Sequence, residues 1–152
     1  MKKKRVSAIS VISLLVIVLI DQLGLPAHAR QPNRVGLVAV HVDGSTITRC
    51  IEFNESEISG HDVLQRSGLG IVASHDSGPG AAVCAIDGEG CPKGSCLTCD
   101  MPNYWSYWHL VDGEWSYASV GASGRRLFSG DVDGWVWGQG KPPPIVRLEQ
   151  IF

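Results

Sequence analysis

Five cysteines carry most of the chemistry open to this chain of 152 residues: Cys50, Cys84, Cys91, Cys96 and Cys99. Four of them fall within residues 84–99, among glycines and a proline that no regular element would accommodate. Thiols this close support three readings. In an oxidising compartment they form disulfides, which restrict the unfolded loop and contribute about 2–4 kcal/mol each. Alternatively, Cys96-Leu97-Thr98-Cys99 has the C-x-x-C spacing of a zinc site, and Cys84 and Cys91 would complete four thiolates. The same spacing serves thioredoxin-like redox pairs, but those open a helix after a strand, and here Pro102 and Asn103 follow almost at once.

The N-terminus chooses among the three. Lys2, Lys3, Lys4 and Arg5 precede Val6 to Ile20, a run without a charge; Asp21 closes it, and Ala27-His28-Ala29 supplies a small-x-small site. This is the anatomy of a secretory signal peptide over residues 1–29. A spanning helix wants about 20 apolar residues, so the run is short for one. An uncleaved anchor is the alternative, and either way the lysines stay on the cytoplasmic side. The rest of the chain is therefore expected outside the cytoplasm, secreted or tethered to the outer side of the membrane, where disulfides are the default. Two bridges among five cysteines leave one over, and spacing alone does not choose the pattern. The expectation is one bridge inside the loop, from Cys91 to Cys96 or Cys99, with Cys84 reaching Cys50 on a neighbouring strand.

Charge removes one class of partner. Four of the 13 basic and one of the 15 acidic residues lie in 1–29, so residues 30–152 carry nine basic against 14 acidic, formally −5. A nucleic-acid binder needs a basic face to release counterions, so nucleic acid is not expected. Catalysis is not expected either. His41, His61, His75 and His109 form no H-E-x-x-H pair, and Ser77 in Ser77-Gly78-Pro79-Gly80 has the wrong register for a nucleophile elbow. Asp131 and Asp133 suggest calcium, but the later Glu of an EF-hand is missing, so a polar turn is expected and no metal.

The aromatic residues are a different matter. All eight Trp and Tyr residues lie between 104 and 137. A two-residue Asp112-Gly113 turn would pair Val111 with Glu114, Leu110 with Trp115 and Trp108 with Tyr117, with Tyr104 on the same side. That face is expected to be core. The other carries Trp105, Tyr107 and His109, expected to be an open platform for a small-molecule ligand. Trp135 and Trp137 share a side of their own strand and are second choices for the same ligand.

The elements that must position these residues are short. After a tether at 30–34, Val35 to Val42 and Thr46 to Phe53 read as strands about Asp43-Gly44. One helix is predicted from Gly60 to Ser67: Ser59 and Asp62 have capping-box spacing, Ile58 and Val63 the staple positions, and Gly68 the C′ position. Leu69 to Ser74, Ala81 to Ile86, Tyr104 to Val111, Glu114 to Ser119 and Gly134 to Gly138 follow as strands. Asp87-Gly88-Glu89-Gly90 opens the cysteine loop, and Ile145 to Phe152, after Pro142-Pro143-Pro144, reads as a closing strand. Strands around one helix predict a single, mostly β, α+β domain at 35–152 with a mixed sheet.

Taken together, several motifs resemble a known family. They are Val38-Ala39-Val40-His41-Val42 with Asp43-Gly44, Ile58 to Leu64, Val83-Cys84-Ala85-Ile86-Asp87-Gly88-Glu89-Gly90-Cys91-Pro92, Tyr104 to His109, Gly121-Ala122-Ser123, and Gly130-Asp131 ahead of Gly134 to Gly138. Over about residues 35–140 the chain resembles the transcobalamin C-terminal-like domains of bacterial exported proteins. The resemblance implies a β-grasp-like fold and a non-catalytic binding role. In transcobalamins the related domain caps a corrinoid against a helical partner domain, for which residues 1–152 hold no counterpart. Bacterial relatives stand alone, are fused to adhesion repeats, or are encoded near vitamin and metal transporters. The partners implied are thus a small-molecule ligand, with a corrinoid as one candidate, and a membrane transporter or surface protein. The alternative is a structural or adhesive module whose aromatic face docks a protein or a glycan.

Overall fold

The computed structural model describes residues 31–75, 80–146 and 148–152. Residues 1–29, expected to be a signal peptide, and most of the Ser77-Gly78-Pro79-Gly80 turn lie outside them. In chain order the strands are β1 (Asn33–Val40), β2 (Thr46–Phe53) and β3 (Ile58–Ser59), then helix α1 (Gly60–Arg66), then β4 (Ile71–Ser74), β5 (Ala82–Ile86) and β6 (Glu89–Gly90). β7 (Tyr104–Val111), β8 (Glu114–Tyr117), β9 (Arg126–Leu127) and β10 (Val132–Gly138) complete them. No helix among the described residues is long and apolar enough to cross a membrane.

Five strands form the main sheet in the order β2-β1-β10-β7-β8. β1 and β10 run parallel at its centre, and every other neighbour is antiparallel. This is a mixed sheet with one short α-helix among the described residues, the mostly β, α+β arrangement expected. β1 begins at Asn33, inside the stretch expected to be a tether. The capping box forms as its spacing predicts: Asp62 N donates to Ser59 Oγ over 3.1 Å, and Ser59 N donates to Asp62 Oδ2 over 3.3 Å. The Asp112-Gly113 hairpin also forms in the predicted register, with positive φ at both residues (52° and 83°), as a twist-matched two-residue turn requires. The same Asp-Gly pairing at Asp87-Gly88 makes a second hairpin, β5–β6, where the sequence suggested only a loop.

Two expectations fail. The principal core is on the face of the β7–β8 hairpin expected to be open, although Trp108, expected inside, is buried as well. Trp105, Tyr107, Trp135 and Trp137 join Leu37, Val63, Leu64 and Leu127 in the principal cluster beneath α1. Tyr117, expected inside, is 52% exposed. Both faces of the hairpin carry enough apolar surface to be buried, so alternation could not choose; docking of α1 does. The C-terminal segment is not a strand. It crosses the back of the sheet and makes a 3-10 turn at Leu148–Gln150, and Ile151 seals a smaller cluster with Val38 and Val132. Leu110 and Trp115 pack against that cluster, and a Cβ at Gly134 would strike Trp115 and Pro143. The central parallel strands are thus covered on both faces, and the C-terminal segment serves as that second cover rather than as a strand.

Candidate functional site

Strand pairing assembles the site. β10 runs antiparallel to β7 with Trp137 opposite Trp105, Trp135 opposite Tyr107 and Asp133 opposite His109. Because side chains alternate, all six fall on the face beneath α1. Tyr107 and Trp135 stack at 4.1 Å and 8° between planes, and Trp105 tilts against Trp137 at 5.8 Å. The Trp105 indole donates to Glu89 O over 2.9 Å, tying β6 and the cysteine loop to the sheet.

Below the stacked pair lies a buried polar cluster that sequence reasoning missed, having read Asp133 as part of a surface turn. Its carboxylate is fully buried. Oδ2 accepts from the Tyr107 hydroxyl, and Oδ1 lies 3.0 Å from His109 Nδ1 and 4.0 Å from Arg125 Nε. Burial pushes the Asp133 carboxyl above the usual carboxylate range; its bonds to His109 and Tyr107 and the Arg125 charge offset this only in part. Burial, and then the nearby Asp133, likewise push the Tyr107 hydroxyl up. Gly60 opens the helix directly over this bond, where a Cβ would collide with the Tyr107 hydroxyl.

Above the stacked pair is a cavity of about 610 Å³. Trp105, Tyr107 and Trp135 form its buried floor, Ala81, Ala82 and Gly121 one wall, and the exposed Leu97, Met101 and Tyr117 its rim. The small wall is set by backbone contact: Ala122 N donates to Ala81 O over 2.9 Å, and Ala81 N donates to Ser123 Oγ over 2.8 Å. At the rim the Tyr104 and Tyr117 hydroxyls are 3.3 Å apart, and this bond is the main reason the Tyr117 pKa is pushed up to about 12.

Trp105, Tyr107, Trp135 and Trp137 are only 2–8% exposed, so they are not an open platform. Trp105, Tyr107 and Trp135 line the cavity instead, Trp137 packs behind Trp105, and His109 belongs to the Asp133 cluster. The cysteines also depart in part from expectation. Cys91 pairs with Cys99, one of the two predicted partners, but Cys84 pairs with Cys96, leaving Cys50 free and exposed. Cys50 stands on β2, the outer strand of the main sheet, whereas Cys84 lies in β5 of a separate three-stranded sheet. A bridge between them would have had to join two different sheets. The bridges instead pin the segment that carries Leu97 and Met101 to the rim.

No protein-family model and no curated protein matches the sequence. A crystal structure of a Ruminococcus gnavus protein, described as a candidate metal-binding protein, is similar in fold. Its TM-score is 0.52 at 16% identity, over 72% of this chain and 99% of the other. The likeness extends to the fold alone.

Proposed function

We propose that this protein is a non-catalytic binding domain that works outside the cytoplasm and holds a small organic molecule in the cavity above Tyr107 and Trp135. The cavity carries the reading. Its volume of about 610 Å³ falls within the roughly 300–1,000 Å³ typical of ligand sites, and aromatic side chains with a few polar tips line it. Those side chains are suited to holding a molecule rather than transforming it. The two disulfides support an oxidising, extracytoplasmic setting. The resemblance to transcobalamin domains favours a vitamin, and delivery to a membrane transporter would follow from tethering by the signal segment. A whole corrinoid exceeds a drug-sized ligand, so only part of one would enter, with a partner covering the remainder.

A metal reading is suggested by the description of the Ruminococcus protein. Among the described residues, however, no three His, Cys, Asp or Glu side chains are arranged to hold an ion, which favours the organic ligand.

Trp105 and Trp135 provide the test. Titration with cobalamin, flavins, other vitamins and short glycans should quench tryptophan fluorescence saturably for one of them. An Ala82→Phe variant, which fills the wall from a half-buried position, should abolish that response while both disulfides still form. Silence across the whole panel would overturn the proposal in favour of an adhesive module that docks a protein or a surface.

A further inference from the structure

Resting on the cavity reading above, the lining also points to what kind of molecule is held: we infer an uncharged, largely apolar, flat ring compound bearing one or two hydrogen-bond-accepting oxygens, with anionic ligands excluded. The first support is electrostatic. Among the described residues around the cavity, none is an Asp, Glu, Lys, Arg or His. Its ionisable side chains are tyrosines, and Tyr107 and Tyr117 both hold their protons more tightly than a free phenol. A charged ligand would leave water and meet no opposite charge, which is unfavourable at a wall this apolar. The formal charge of −5 on residues 30–152 adds repulsion against an anion in particular.

Shape gives the second support. Tyr107 and Trp135 brace each other at 4.1 Å, and Asp133 anchors the far end of Tyr107, so the floor is a fixed pair of planar rings. Rings of a ligand gain by offset stacking or edge contact with such a surface.

Polar count gives the third. Tyr104 and Tyr117 share one hydrogen bond, which uses one of their two hydroxyl protons and leaves the other free to donate. The Gln139 amide stands in the same lining. With the Ser119 hydroxyl, these groups can donate to one or two accepting oxygens but are too sparse for a sugar, whose many hydroxyls would be left unpaired.

The test compares one ring with and without a charge. Coumarin, coumarin-3-carboxylate and cellotriose are titrated into the oxidised domain and followed by saturation-transfer NMR, with Ala82→Phe as control. Coumarin should bind at least tenfold more tightly than its carboxylate, cellotriose should not bind, and the control should lose coumarin. If the carboxylate or cellotriose binds as tightly as coumarin and is lost in Ala82→Phe, the neutral-ring inference fails while the cavity reading stands. If none of the three binds at millimolar concentration, the neutral-ring inference fails, and the cavity reading falls with it only when the vitamin panel is silent too; if Ala82→Phe binds coumarin as the natural domain does, both fail.

Discussion

Asp133 shows how much one residue depends on its neighbours. Its carboxylate is fully buried, and Tyr107, His109 and Arg125 surround it. Leucine in its place would leave the Tyr107 hydroxyl and the His109 ring without an acceptor. We expect Asp133→Leu to lose about 3–5 kcal/mol in urea unfolding, the usual cost of breaking a buried charged pair from one side. Asp133→Asn separates the charge from the shape. Because burial raises the folded-state pKa above that of the unfolded chain, the native state holds the Asp133 proton more tightly. The stability this contributes is complete below the ordinary carboxylate range and is lost as pH rises through the raised value. Unfolding measured from about pH 4 upward should therefore show the natural protein losing ground against Asp133→Asn. A gap that narrows or stays flat with rising pH would contradict the assignment.

At the scale of elements, the helix is where local and tertiary demands meet. Ser59 caps it, and Val63 and Leu64 bury its inner face. Ser59→Ala should cost about 1 kcal/mol, the usual value of an N-cap, and leave ligand binding intact. Gly60, one residue on, answers to the site instead. A methyl group there must displace the Tyr107 hydroxyl, so Gly60→Ala should cost more, about 1–3 kcal/mol for overpacking, and should weaken binding in the cavity. Equal effects of the two variants on ligand affinity would break the proposed link between α1, Tyr107 and the cavity floor. The two hairpins with two-residue Asp-Gly turns show a local signal overriding composition: the turn conformation forms even in β5–β6, where the returning strand is only Glu89–Gly90.

For the molecule as a whole, the disulfides decide whether the cavity has a rim. Cys84–Cys96 and Cys91–Cys99 hold the loop that presents Leu97 and Met101, and the Trp105 bond to Glu89 joins that loop to the main sheet. Without reductant, a maleimide should modify one thiol, Cys50, as read by peptide mass spectrometry. Reduction should expose four more, cost about 2–4 kcal/mol per bridge, and weaken any ligand held at the rim. The helix cap, the Asp112-Gly113 register and the tyrosine and tryptophan partners across it were legible in the sequence, because each rests on interactions between residues near in the chain or on strict alternation; the mixed sheet around one helix followed from the order of the elements. What the sequence left undetermined was which side of an evenly apolar hairpin faces α1, which cysteine stays free, and how the C-terminal segment ends. Those depended on where α1 docks, on which sheet each cysteine joins, and on Ile151 finding the back of β1 and β10. Only the folded chain brings such distant residues within contact.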